Sequence, residues 1–219
     1  MARIPESELF CKVAEKDDVV SLLGILKIED EEAYEHSINV ARYTDKYLTI
    51  LNEWKEQVYT EKEQEEILTG AFLHDIGKAF LPFKLQHSSE ALSQNKQSII
   101  RMHPLIGLVA IENCEMSEII ENIIYLHHEN ADGTGYPGKE DENHNMTAYQ
   151  EKDIPEYVWI VSYADRFDAM TSDRAFKRAL NYKEAWKEIL KLSEKNKLPY
   201  RLTRVFYEII RRESVIPLS

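Results

Sequence analysis

Apolar residues recur three and four positions apart along most of this chain, and no run of alternating β-branched residues lies between hairpin turns. That spacing is the mark of amphipathic helices and predicts an all-α domain, a compact helical bundle. The first strong helix is expected over 30–51. Asp30 and the glutamates after it suit the positive end of a helix dipole, and Ala33, Val40, Tyr43, Tyr47 and Leu51 line its inner face. A second helix, over 62–76, opens acidic and turns apolar through Ile67, Leu68, Ala71 and Phe72, with Gly77 placed as its C-terminal cap. Further helices fit 89–102, 104–114, 117–128, 155–171, 181–195 and 199–212, with Pro104 in a first-turn position and Ser117 as a cap.

Residues 1–29 read as an N-terminal helical extension, in which Val19, Val20, Leu22, Leu23, Ile25, Leu26 and Ile28 make one helix that packs on a main domain over 30–219. Residues 129–153, rich in Gly, Asp, Asn and Glu, form the one long irregular stretch. Loops of that length inside a compact domain are usually functional or disordered.

Charge narrows the classes of partner. A net charge of −12 over 219 residues argues against a general DNA or RNA binder, which needs a basic surface to neutralise phosphates. The distribution is uneven, since the last sixty residues carry 13 basic and 8 acidic side chains. Cys11 and Cys114 make neither a disulfide framework nor a zinc-motif spacing. No run approaches the roughly 18 to 20 apolar residues of a membrane helix, and the N-terminus has no apolar signal core, so the cytoplasm is expected and no membrane.

Of seven histidines, five stand in contexts that suit metal ligation: His36, His74, His103, His127 and His128. Glu32 and His36 are four apart, so they project within about 40° of each other on one helix face. His74 and Asp75 end an apolar helix in the string HDIGK (74–78), and a carboxylate with two oxygens can hold one metal or bridge two. His103 precedes Pro104 and is expected just outside a helix start. His127 and His128 diverge by about 100°, which is awkward for one ion and suits a cluster. Asp165 lies in a largely apolar helix, where a buried carboxylate needs a partner: a metal, or a salt bridge to Arg166 or Arg174.

These strings carry a family resemblance. HDIGK, HHENADGTGYPG (127–138) and ADRFDAMTSDR (164–174) together resemble the HD-GYP domain, a branch of the HD metal-dependent phosphohydrolases similar to cyclic di-GMP phosphodiesterases. The likeness covers roughly residues 30–180 and implies an HD-type helical bundle with a long GYP-containing loop. Carried over by position, it implies metal ligands at His36, His74, Asp75, His103, His127, His128 and Asp165, with Glu32 supporting a third ion. Two or three divalent ions are implied; a shell of imidazole and carboxylate without thiolate favours iron or manganese without excluding zinc, cobalt or nickel, and the resemblance puts iron first.

The implied reaction is hydrolysis of cyclic di-GMP to the linear dinucleotide pGpG, and onward to GMP. Asp75 would bridge the ions and Lys78 would stabilise charge on the phosphate. Tyr136, shaped by Gly133, Gly135 and Pro137, either walls off a purine base or packs inward as a structural corner. Arg174 and Lys177 correspond to phosphate or guanine contacts, whereas Asp168 is expected to orient its neighbours. The alternatives are an HD phosphohydrolase for another cyclic dinucleotide or nucleotide, and a nucleotide-responsive module without turnover. A regulatory protein partner is a further expectation. Two departures from the pattern stand out: an acidic segment after Pro137 that includes His144, and Trp159 where such domains often carry Arg. His87 is given no role.

Overall fold

The computed structural model describes residues 3–56, 58–87, 93–173 and 178–214. It is almost entirely helical, in the order α1 (Glu8–Ala14), α2 (Asp17–Glu29), α3 (Glu31–Glu53), α4 (Glu61–Leu73), a 3-10 turn (Ile76–Phe80), α5 (Phe83–Gln86), α6 (Gln94–Ile100), α7 (His103–Ala110), α8 (Glu118–Leu126), α9 (Glu156–Thr171), α10 (Tyr182–Glu194) and α11 (Thr203–Glu213). A two-residue antiparallel pair, β1 (Lys139–Glu140) with β2 (Met146–Thr147), is the one sheet among the described residues. No helix among them is long and apolar enough to cross a membrane.

The helix starts follow local chemistry. Asp30 caps α3 by accepting from the Ala33 N–H at 2.9 Å, and Thr60 with Glu63 closes a reciprocal capping box on α4, as Asn181 and Glu184 do on α10. Helix α3 runs through the middle of the bundle and packs against α2, α4, α9 and α11. Its buried face carries Val40, Tyr43, Tyr47 and Leu51 as expected, together with Ile50 and Leu48. From the far side Phe206 of α11 enters the same core, its ring stacked on Tyr163 at 5.0 Å and tilted on Tyr47 at 5.6 Å. Burying one such phenylalanine is worth about 1.5–3 kcal/mol, so α11 is bound chiefly by its apolar face.

Several local expectations give way to tertiary packing. The helix expected to carry Val19 to Ile28 is α2, with α1 as an additional helix before it, but Val20, Ile25 and Ile28 face solvent while Val19, Leu22, Leu23 and Leu26 fill the core. Helix α4 ends at Leu73, and Gly77 lies inside the 3-10 turn rather than capping it. A Cβ there would sit 2.0 Å from the His103 carbonyl oxygen, so Gly77 is what lets α7 approach the backbone beside Asp75. His103 is the first residue of α7, not a residue before it.

The basic C-terminal quarter is largely neutralised at home. Arg204 meets Glu56 at 3.0 Å, Arg212 meets Glu53 at 2.7 Å, Arg201 meets Glu156 at 3.0 Å and Lys197 meets Asp132 at 2.7 Å. Each exposed pair is worth only about 0–1 kcal/mol, but together they orient α11 and the 195–201 segment on an acidic body. Cys11 is exposed, Cys114 is half-buried, and both are free thiols.

Candidate metal centre

The end of α4, the 3-10 turn, the first turn of α7, the end of α8, the middle of α3 and α9 converge on one carboxylate. Asp75 is 1% exposed and its two oxygens face different histidines. Oδ2 lies 3.3 Å from Nε2 of His74 and 3.7 Å from Nε2 of His36, while Oδ1 lies 3.2 Å from Nε2 of His103 and 3.8 Å from Nε2 of His127. Two metal-capable groups therefore share Asp75: His36 with His74, and His103 with His127 and His128.

Backbone carbonyls fix three of the rings in the same way. Nδ1 of His74 donates to the Ala71 carbonyl at 2.9 Å, Nδ1 of His103 to Ile100 at 2.9 Å, and Nδ1 of His127 to Ile124 at 3.0 Å. With Nδ1 protonated, each Nε2 presents a lone pair toward Asp75. Two such nitrogens, on His103 and His127, stand 3.3 Å apart. Nε2 of His74 and Oδ1 of Asp75 are buried without a hydrogen-bond partner among the described residues. Facing lone pairs and unsatisfied buried acceptors call for a Lewis acid, so the residues fit divalent metal ions.

Protonation states agree with ligation. Burial drives His103 down to about 3 against the pull of Asp75, and burial likewise lowers His74 and holds His128 well below the usual histidine range. Burial opposes ionisation of Asp75, but the charge of Lys78, whose Nζ is 2.5 Å from Oδ2, holds it well below the usual carboxylate range. Asp165 is kept ionised against burial by its hydrogen bond to His36. His36 is the exception among the rings. Burial works against its cation, but Asp165 on Nε2 at 3.0 Å and Asp168 on Nδ1 at 2.7 Å outweigh it and raise the imidazole to about 9.

Asp165 turns its other oxygen toward Nδ1 of His128, 3.7 Å away, and so links the two histidine sets. Of the two arginines named as alternative partners, only Arg166 lies among the described residues, and it is engaged elsewhere. Arg166 donates to the Glu129 carbonyl at 3.1 Å and to Oδ1 of Asn130 at 2.9 Å, and Arg174, like Lys177, lies outside the described residues. Glu32 sits one turn before His36 on α3, its side chain 37% exposed and Oε2 3.6 Å from Nδ1 of His87. It stands apart from the two shared groups. His87 is itself anchored by Asp30 at 2.8 Å and stacks on Phe83.

The loop after α8 forms the rim. Gly133 takes a left-handed φ of +76°, whereas Gly135 serves close approach: a Cβ there would meet the Glu129 Cα at 2.4 Å. Glu129 is fully buried and accepts from the Gly138 N–H at 2.6 Å, and burial raises its pKa. Tyr125 donates to the Gly138 carbonyl at 3.2 Å, and the Ala131 N–H donates to Lys197. Held at these points, the loop sets the Tyr136 ring over His128 at 4.7 Å and edgewise to His103 at 6.3 Å. The Arg101 guanidinium lies 5.2 Å from the centre of that ring. The sequence reading missed the roles of Glu129 and Arg166; the only signal was their adjacency to HHE and Asp165. Trp159 is fully buried in the core and stays away from the rim. His144 is exposed beside Glu140 in the hairpin turn, remote from this chemistry in burial and partners.

A model of the HD domain family matches residues 32–198. A Thermotoga maritima protein named cyclic di-GMP phosphodiesterase is 29% identical over 90% of this chain and 52% of its own length. The cyclic di-GMP phosphodiesterase PdeB of Borreliella burgdorferi is 30% identical over 73% of this chain and 38% of its own length, so the chain spans about half or less of these relatives. Among solved structures, Bd1817, an HDG"Y"P protein from Bdellovibrio bacteriovorus, superposes with a TM-score of 0.62 at 21% identity, covering 93% of this chain and 61% of that one, which supports the fold.

Proposed function

The chain belongs to the HD domain family, and from that premise we propose that it is a metal-dependent phosphodiesterase that hydrolyses cyclic di-GMP to pGpG and can cut onward to GMP. The observation that carries the reading is Asp75, one buried carboxylate whose two oxygens serve two separate sets of histidine nitrogens beneath the DGTGYP loop. The names of the relatives point to the same substrate.

In this reading His36, His74, Asp75, His103, His127, His128 and Asp165 hold two ions, with Glu32 at the place of a third. The donor set of nitrogen and oxygen suits iron or manganese, and iron is put first on the family resemblance. When bound, such ions supply Lewis acidity that lowers the pKa of water and offsets phosphate charge. The chain supplies the rest. Asp75 fixes the spacing between the two histidine sets, and Lys78 stands at its Oδ2, where a cation can turn to a phosphate oxygen. Tyr136, half-buried over His128, walls the side where a base would lie. Arg174 and Lys177 complete the substrate contacts on the strength of the sequence motif alone.

The test is metal analysis of anaerobically purified protein together with cyclic di-GMP hydrolysis by the wild type, His74→Ala and Asp75→Ala. Both variants are expected to lose bound metal and to slow turnover by about 10³-fold or more, the scale for loss of a water-activating metal. A metal-loaded wild type no faster than the variants overturns the reading.

A further inference from the structure

We propose that Arg101 reads the guanine base of the substrate, an assignment that rests on the phosphodiesterase reading above and deepens it to base specificity. Arg101 follows α6 and precedes His103 by two residues, so the same short segment that places a metal-facing imidazole also places this guanidinium. The side chain is exposed and lies over the Tyr136 ring, 5.2 Å from its centre.

Among the described residues its hydrogen-bond donors are uncommitted. Arg42, Arg201, Arg204, Arg211 and Arg212 each engage a carboxylate, and Arg166 is taken by the Glu129 carbonyl. Arg101 makes no side-chain hydrogen bond or ion pair with the described residues, and the Tyr136 ring is its recorded contact. A cation placed against an aromatic face keeps its planar edge of N–H donors available, because the attraction uses the charge and not the donors.

Position decides what those donors meet. The Tyr136 ring lies against Arg101 and also against the rings of His128 and His103, at 4.7 Å from the first and 6.3 Å from the second. Arg101 is exposed at the rim against Tyr136, whereas the Asp75 carboxylate is buried, so the part of a substrate held at Asp75 that falls to Arg101 is a base. Lys78, already beside Asp75, is the cation placed for the phosphate. A guanidinium fork matches the O6 and N7 acceptors of guanine, whereas adenine puts an amino donor where O6 would be. The pair thus selects a guanine dinucleotide over an adenine one by about 10-fold, the scale of one bidentate contact.

The experiment compares metal-loaded wild type, Arg101→Ala and Arg101→Lys. Dissociation constants are measured for phosphorothioate analogues of cyclic di-GMP and cyclic di-AMP that resist hydrolysis, and KM and kcat are measured for the natural dinucleotides. Expected is a fall of about 10-fold in affinity and a matching rise in KM for the guanine dinucleotide in Arg101→Ala, with the adenine dinucleotide and the metal content unchanged, and no full recovery in Arg101→Lys, which keeps the charge without the fork. Equal weakening of both dinucleotides would assign Arg101 to a phosphate and overturn the proposal. No change, full rescue by lysine, or a wild type that binds neither analogue would overturn it too. Arg101-dependent guanine binding without turnover would leave this assignment standing and sink the phosphodiesterase reading instead.

Discussion

Asp168 holds Nδ1 of His36 at 2.7 Å and so sets an imidazole of the centre that no backbone carbonyl fixes. Asp168 is itself held, its Oδ1 accepting from the Ser172 hydroxyl at 2.8 Å one turn later on α9. A carboxylate behind a ligating histidine raises the basicity of the ring and aims its other nitrogen, which here faces Asp165 and Asp75. Asp168→Asn keeps the shape and removes the charge. Metal affinity is expected to fall by about 10-fold or more, the low end for loss of such a support, with the fold intact. Chelator competition followed by metal analysis checks this, and unchanged affinity would show that Asp168 serves packing alone.

Gly77 joins the His-Asp turn to α7 more tightly than any side chain would allow. A Cβ would stand 2.0 Å from the His103 carbonyl oxygen and 2.6 Å from the Gly107 nitrogen, both backbone atoms that cannot swing aside. Gly77→Ala is expected to cost about 3 kcal/mol, the upper end for overpacking, and to shift His103 away from Asp75. Gly70→Ala is the contrast, since its nearest neighbour is the terminal Cδ1 of Ile123 at 2.7 Å, which can rotate. Thermal unfolding should show the larger drop in Tm for Gly77→Ala, with reduced metal content. Equal drops would mean that the 3-10 turn is free to move.

The residues that gather around Asp75 were legible because metal chemistry constrains residue type and spacing: a His-Asp pair, a His-His pair and a carboxylate within an apolar helix. The helices were legible for the same kind of reason, since burial of one face imposes a period. What escaped the sequence depends on contacts between distant segments. Gly77 looks like a cap from its neighbours, and only the approach of α7 reveals its function. Glu129 looks like one more acidic residue until the Gly138 N–H is seen to close on it from nine residues away. The basic C-terminal quarter suggested an attraction for anions, yet Arg201, Arg204 and Arg212 are drawn to glutamates of the bundle itself. Trp159, a departure from the family pattern, makes sense as a core side chain at a position where burial is complete.

The N-terminal segment is fastened to α3 by a buried carboxylate, and that fastening predicts a pH dependence remote from the metal centre. Asp45, 2% exposed, accepts from the Ser7 N–H at 2.9 Å and from the Ser7 hydroxyl at 2.5 Å. Burial raises its pKa, aided by the charge of Glu6 and opposed by the Ser7 hydrogen bonds and by Lys46. A carboxyl whose pKa is higher in the folded chain than in the unfolded one adds stability below the unfolded value, and that contribution is lost as pH rises through the folded value. At neutral pH the ionised Asp45 is therefore a cost. Asp45→Asn keeps an oxygen for the Ser7 N–H and offers its amide N–H to the Ser7 hydroxyl, so both hydrogen bonds can persist without the charge. The variant is expected to be more stable than wild type at neutral pH, with the advantage shrinking as pH falls through the folded pKa of Asp45. Urea unfolding across the acid range reads this directly, and a difference that does not vary with pH would show that the ionised carboxylate carries no such cost.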